Sequence, residues 1–224
     1  MRVILATIVV VGGIAMALIV AVPAHADPET CPPVCDQIPN TAWIQQHAVP
    51  LDSAYNWPGL AGSAIPLTGT GTPRFRFEDL CATSAVPRDA RDSAVAARVT
   101  ITHPDGQWEL QAEILHWRGD TSRGGPTAAS VFSNAVAALR GCQQRAPAES
   151  PSITSDEPNR MAAVVSGPVV MHTYLVAHVA SSTISELTLW SSGPPQAPWP
   201  AVADDPVMNA MTAPLCDAYI ASCP

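Results

Sequence analysis

The clearest pattern in the chain is a pair of alternating segments, residues 96–103 and 108–117, on either side of the sequence PDGQ at 104–107. Both segments alternate apolar and polar residues, as strands do when they bury one face. The sequence between them suits a tight turn, because proline presets the bend and glycine accepts a positive φ. The pattern therefore predicts a β-hairpin. One face of its second strand carries Trp108, Leu110, Ala112, Ile114 and His116.

The spacing of apolar residues changes in the sequence TSRGGPTAASVFSNAVAALRGCQQR, residues 121–145. Apolar side chains recur there every three or four positions, which is typical of a helix with one buried face. Gly124, Gly125 and Pro126 mark the expected start of this helix. The apolar stripe consists of Phe132, Ala135, Val136, Leu139 and Cys142.

Alternation returns between residues 161 and 190 and predicts a second hairpin. We expect strands at 169–180 and 184–190, with the turn near Ser181.

Three shorter segments complete the pattern. A last helix is expected from Asp205, which can cap it, with Pro206 at its first position. Pro214 is expected to kink or divide that helix. The sequence RFRF at 74–77 alternates and predicts a strand, whereas 146–159 is expected to be an irregular link.

The order of these elements predicts the α+β class. We expect an antiparallel sheet of two hairpins with helices packed on one face, and with disulfides as staples. A sheet of this kind leaves its other face for solvent or for a ligand.

The first residues have the three parts of a secretory signal peptide. Arg2 is followed by an apolar run at 3–22, then by Pro23 and the small-x-small sequence AHA at 24–26. We expect residues 1–26 to be removed after Ala26. The alternative is a retained signal anchor, because roughly 20 apolar residues suffice to span a bilayer. No other segment approaches that length, so we expect no membrane span after cleavage.

The remaining chain divides by composition into two parts. Residues 27–73 are rich in proline, glycine and small residues and are expected to form an arm over the domain. Asn40 can cap a short helical turn there, and Trp43 and Trp57 are expected to pin the arm. Residues 74–224 are expected to form a single α+β domain.

All six cysteines follow the signal sequence, which predicts disulfides in an oxidising compartment. Sequence alone leaves several pairings open, including a distant partner for Cys31. We expect the bridges Cys31–Cys35, Cys81–Cys142 and Cys216–Cys223. A zinc site or a redox pair is disfavoured for CPPVC, because no second ligand pair is near and three residues, two of them proline, separate the cysteines.

Charge and missing motifs exclude several functions. The net charge is −8 and the chain has no lysine, which disfavours nucleic acid and anionic lipid heads as partners. Neither Ser63 nor Ser166 lies in the G-x-S-x-G sequence of many serine hydrolases. The glycine-containing sequence RGGPT at 123–127 lacks the lysine that a phosphate-binding loop requires. We therefore expect no cofactor, no metal and no catalytic residue.

Aromatic residues and histidines of the strands are the candidate ligand-binding residues. They could line an apolar groove beside the sheet, or they could belong to an ordinary core. His172 and His178 lie about 20 Å apart along one strand, too far to share a metal ion. The alternative to binding is a small exported hydrolase that uses one of the histidines with a serine or a carboxylate. The candidate set is Trp108, His116, Trp117, His172, Tyr174 and Trp190.

The sequence AASVFSNAVAALRGC, between two hairpins, resembles the extracellular sensor domain of mycobacterial PknH-type serine/threonine kinases. Phe132, Ser133, Ala135 and Cys142 fit the helix of that family, whereas Leu139 stands where the family has tryptophan. The resemblance implies an antiparallel sheet with flanking helices, disulfides and a cleft for a ligand, without known catalysis. We therefore expect a secreted or cell-envelope protein with a sensor-like domain, which binds an envelope ligand or a partner protein.

Overall fold

A computed structural model describes residue 31 and residues 35–68, 73–219 and 222–223. The expected signal peptide at 1–26 lies outside the described residues. Seven strands in these residues form one antiparallel sheet in the order β1-β2-β3-β7-β6-β5-β4. They are β1 Ile65–Pro66, β2 Val95–Ile101, β3 Glu109–His116, β4 Ser150–Glu157, β5 Arg160–Ser166, β6 Val170–His178 and β7 Thr183–Ser191.

Both predicted hairpins are present. Gly106 takes a φ of 77° in the turn between β2 and β3, where the Gln107 N–H donates to the Pro104 carbonyl over 3.1 Å. Ser182, with a φ of 55°, ends the turn between β6 and β7. The two hairpins join because β3 pairs with β7, in a register that sets Glu113 opposite Glu186.

Helices cover the sheet on both faces. The α-helices are α1 Asp52–Tyr55, α2 Leu60–Ser63, α3 Arg76–Leu80, α4 Thr121–Arg140, α5 Cys142–Arg145 and α6 Asp204–Ala218. Helix α4 shares a core with Leu115, Leu175 and Ile184, whereas α6 shares the opposite core with Leu187 and Leu189. The α+β class and the antiparallel sheet are confirmed. The expectation of helices on one face is wrong, because alternate residues of β6 and β7 are buried on both sides.

The arm packs on the α6 face of the sheet. Its two tryptophans are buried there, as predicted. Trp43 and Trp57 are buried, and the indole N–H of Trp57 donates to the Pro50 carbonyl over 2.9 Å. The hydroxyl of Tyr55 accepts from the Trp108 N–H at 3.0 Å. A short 3₁₀ turn spans Asn40–Ala42, and Pro39, not Asn40, precedes it as the cap residue.

The three expected disulfides are confirmed: Cys31–Cys35, Cys81–Cys142 and Cys216–Cys223. The longest loop belongs to Cys81–Cys142, whose partners are 61 residues apart in sequence and 4.7 Å apart at Cα. In the chain-entropy model such a loop stabilises the native state by about 4 kcal/mol. This bridge ties the end of α3 to the first residue of α5, directly after α4.

Two segments differ from their predictions. The strand predicted at 74–77 does not form. Helix α3 begins at Arg76 instead, because the Glu78 carboxylate accepts from the Phe75 N–H at 2.9 Å and so closes the first turn. Both phenylalanines of the alternating sequence are buried. Strand β4 occupies most of the expected link at 146–159. This strand lies at the edge of the sheet and is rich in polar residues, and its register shifts between Ile153 and Ser155. For both reasons its sequence does not show the alternation of a buried strand.

Helix ends also shift from the expected positions. Helix α4 begins three residues before Gly124, because the Asp120 side chain accepts from the Ser122 N–H at 2.8 Å and caps the first turn. Helix α6 begins one residue before Asp205 and continues through Pro214 without division.

The glycines of α4 let the helix approach the β6–β7 turn closely. A Cβ atom on Gly125 would lie 2.6 Å from the Val179 carbonyl oxygen, and one on Gly124 would lie 2.6 Å from the Ser182 Cβ. Both distances are shorter than van der Waals contact, so glycine is required at both positions by packing.

We expect Gly125→Ala to lower the free energy of unfolding by about 1–3 kcal/mol, although alanine favours helices, because the new methyl group overpacks the contact with Val179. Urea denaturation measures the change. Gly62→Ala in α2 is the matched control, since no atom lies within 4 Å of its added Cβ. A Gly125→Ala protein as stable as the control would contradict this packing.

Candidate functional site

The six predicted ligand-binding residues divide between the two faces of the sheet. The α6 face holds Trp108, His116, His172 and Tyr174, and the α4 face holds Trp117 and Trp190. Five of them are between 0 and 5% exposed, and His172 is partly exposed. They therefore do not line one groove, and that prediction is wrong. The physical reason is the second covering layer, which turns both faces into core.

One contact within the predicted set does form, between His172 and Trp108, whose ring centroids are 5.7 Å apart. The ring of Trp199 completes the group by stacking on His172 at 3.5 Å. Burial lowers the pKa of His172 to about 4, against the opposing charge of Asp204. No pattern in the sequence indicated Trp199, because it lies in a proline-rich loop without periodicity.

Two histidines contact a hydroxyl. The Nδ1 atom of buried His116 lies 3.1 Å from the Thr183 Oγ1, and its ring stacks on Tyr219. The Nδ1 atom of His178 lies 2.8 Å from the Ser181 Oγ. The distance from His178 to Ser181 would suit a histidine base and a serine nucleophile of a hydrolase. The Ser181 hydroxyl, however, is buried and also donates to the His178 carbonyl over 3.3 Å. The contact thus holds the β6–β7 turn together.

A cleft of about 490 Å³ lies between α4 and the segment 82–91. This volume is within the usual range for small-molecule sites. Its walls combine apolar, polar and charged side chains. The lining residues are Glu78, Thr83, Val86, Arg88, Asp89, Ala90, Arg91, Ser130, Val131, Asn134, Ala135 and Ala138.

A buried ion cluster shapes one wall of the cleft. The guanidinium of Arg91 lies 2.6 Å from a Glu78 oxygen and 2.7 Å from an Asp89 oxygen. Burial alone disfavours the charge of Arg91, but the hydrogen bonds to both carboxylates outweigh it and raise the pKa of Arg91. Burial likewise opposes the charge of Asp89, yet the bonds and charge of Arg91 lower the pKa of that carboxyl. Arg91 and Asp89 are therefore ionised at neutral pH.

The wall is attached to the sheet through α3. The Arg76 N–H donates to Glu186 over 2.7 Å, and the Arg98 guanidinium donates to the Arg74 carbonyl over 2.8 Å. Arg74 in turn donates to the Thr83 carbonyl over 2.6 Å, at the start of the cleft segment. The disulfide at Cys81 fixes the same segment to α4.

Two carboxyl groups lie under α3 in the middle of the sheet. Glu113 and Glu186 are 0 and 1% exposed and face each other across β3 and β7. Glu113 pairs with Arg98 at 2.5 Å, and Gln111 donates to Glu186 over 3.1 Å. Burial raises the pKa of Glu113 to about 7, against the charge of Arg98. Burial and then the charge of Glu113 raise the pKa of Glu186 to about 8.

Metal-ligand side chains come together once in the described part of the chain, at Cys216, Asp217 and Cys223. The two sulfurs are bonded to each other, so neither is the thiolate that binds metals.

Comparison with known proteins gives no relative: no family model, curated protein or solved structure matches the chain. Within the described residues, no helix combines the length and the apolarity needed to cross a membrane.

Sequence reasoning missed the cleft and its ion cluster. Glu78 reaches Arg91 from helix α3, and the alternating pattern assigned the first residues of that helix to a strand. The pattern therefore did not indicate that the two side chains form an ion pair. Glu186 did carry a signal, because it lies between Ile184 and Trp190 on one face of an alternating strand. A carboxyl between two apolar residues on a strand face indicates a buried and specifically bonded group.

We expect the free energy of unfolding to be lower at pH 8 than at pH 5 because of the buried pair. The native state keeps a proton that the unfolded chain releases near its ordinary pKa of 4.5. The stabilisation that this retained proton gives the native state is therefore complete below that pH, and it is lost as the pH rises to about 8. Glu186→Gln should reduce the difference by about 1–3 kcal/mol.

Urea denaturation at several pH values measures this effect. Gln111 can reverse its amide to accept from the new glutamine, so the substituted side chain keeps a partner. Glu109→Gln, on the same strand as Glu113, is the control and should keep the pH dependence of the unsubstituted protein. Equal pH dependence in all three proteins would show that the buried pair does not hold the proton.

Proposed function

We propose that this chain is an exported, disulfide-stabilised protein that binds a small molecule without transforming it. The cleft between α4 and the segment 82–91 is the proposed site. The single observation that carries the proposal is the lining of that cleft, which places polar and charged groups around an apolar floor. Ligand sites commonly combine a mostly apolar surface with a few fixed polar groups.

Two properties of the cleft favour a ligand over solvent alone. The Thr83 Oγ1 atom is buried and has no hydrogen-bond partner among the described residues. Val86, at the rim, is 59% exposed although it is apolar. A ligand that accepts a hydrogen bond from Thr83 and covers Val86 would relieve both costs.

Rigidity of the walls supports binding without catalysis. Arg91 is held by Glu78 and Asp89, so its hydrogen bonds are largely used within the wall. The groups that remain for a ligand are hydroxyls, an amide and the arginine at the rim. These groups orient a molecule but offer no activated nucleophile. A sensor-like role fits this arrangement and is what the family resemblance implies.

Export is supported by the sequence at 1–26 and by the three disulfides. Disulfides persist in oxidising compartments outside the cytoplasm. We therefore propose that the protein acts in the secreted fraction or in the cell envelope, where an envelope ligand could reach it.

We expect Asn134→Trp to abolish ligand binding, because the indole would fill the cleft from an exposed position on α4. The protein, purified with its disulfides intact, is incubated with a bacterial envelope extract, and native mass spectrometry records any bound small molecule. Ser133→Trp is the matched control, since Ser133 is also exposed on α4 but does not line the cleft. Equal loading of the two variants would remove the cleft as the site.

We expect the protein in its native host to be recovered outside the cytoplasm, without residues 1–26 and without free thiols. Cell fractionation and intact-mass measurement with a thiol-alkylating reagent test this. A chain with Met1 and six alkylated cysteines in the cytoplasm would refute export. A chain outside the cytoplasm that keeps residues 1–26 would instead support the retained anchor.

A further inference from the structure

The charges around the cleft are balanced on its inner wall but not at its rim. Arg91 is neutralised by Glu78 and Asp89. Arg88 is exposed, lines the same cleft, and has no carboxylate within ion-pair distance among the described residues. The rim therefore presents a positive charge that no acidic side chain of the described chain compensates.

The segment that carries Arg88 has a defined shape. Ala82 and Arg88 adopt positive φ values of 47° and 59°, and the two residues bracket the outer wall of the cleft. Residues other than glycine adopt such angles at a cost, so surrounding contacts must hold them. Next to Ala82 those contacts are the disulfide at Cys81 and the bond from Arg74 to the Thr83 carbonyl, and next to Arg88 the contact is the ion pair of Asp89 with Arg91. Arg88 is thus presented from a fixed wall.

The floor next to this charge is apolar. Val131, Ala135 and Ala138 of α4 supply one side, and Val86 and Ala90 supply the other. Small side chains leave a slot that an unbranched chain can fill, and removal of its methylene groups from water favours binding. The unpartnered Thr83 hydroxyl offers one neutral donor in addition.

We propose that the cleft binds a single-chain amphiphile with one anionic group, such as a free fatty acid, whose carboxylate pairs with Arg88. The chain of the ligand lies on Val131 and Ala135. This inference rests on the proposed function, because it assigns a ligand class to the same cleft. Carboxylate–guanidinium pairing supplies the recognition of the head group, and the apolar floor supplies most of the binding.

Calorimetric titration of the oxidised protein with decanoate tests the inference. We expect binding at one site, about tenfold weaker in Arg88→Gln and largely retained in Arg88→Lys. Arg123→Gln removes an equal charge from another exposed position and should leave binding unchanged. Decyltrimethylammonium, with the same chain and the opposite charge, should not bind. Asn134→Trp should abolish decanoate binding, which places the ligand in the cleft.

Three outcomes would overturn this assignment. Equal decanoate affinity in Arg88→Gln and Arg123→Gln would remove Arg88 as the partner. Equal binding of the cationic amphiphile would remove the anionic head group. Binding to phosphatidylglycerol vesicles that decanoate does not displace would assign the surface to membrane lipid.

The same experiment separates this inference from the proposed function. If decanoate does not bind, but Asn134→Trp still blocks loading from the envelope extract, the cleft remains a binding site with another ligand class. If neither decanoate nor the extract loads the cleft, both proposals fail.

Discussion

The burial of Glu186 in the centre of the sheet is the constraint on which one half of the molecule depends. A carboxyl group that is 1% exposed must be hydrogen-bonded, and its partners include the Arg76 N–H, Thr188 and Gln111. The bond to Arg76 fixes the start of α3. Helix α3 then brings Glu78 to Arg91 and so forms the inner wall of the cleft. The site is therefore a consequence of polar burial rather than of apolar packing.

The two faces of the sheet serve different purposes. The α6 face is closed by aromatic rings, among which His172 stacks on Trp199, and by the arm. The α4 face is apolar where the helix lies and polar where α3 lies. On this second face, the cleft between α4 and the segment 82–91 leaves space for a ligand. A hydrogen-bonded ionic wall holds a single geometry, whereas an apolar wall adapts to several.

The elements with strong periodicity could be predicted from the sequence, and those fixed by long-range polar contacts could not. The hairpin around Gly106 and the stripe of α4 were predicted correctly, because local spacing determines them. The even number of cysteines predicted disulfides, and the preferred pairing was correct although the sequence left other pairings open. Helix α3 was not, since its first turn depends on Glu78 and its position on Glu186, which is over a hundred residues away. The candidate aromatic residues and histidines belong to the core instead of a groove, because helices cover both faces of the sheet.

The bridge between Cys81 and Cys142 has a consequence for when the proposed site exists. It joins the two elements that form the walls of the cleft, and a thiol-reducing cytoplasm does not permit it. Before oxidation, the outer wall lacks its covalent attachment to α4. Under the proposed function, the newly made chain would therefore bind its ligand weakly until the bridge forms. If the chain is exported as proposed, oxidation of this cysteine pair after translocation would complete the site.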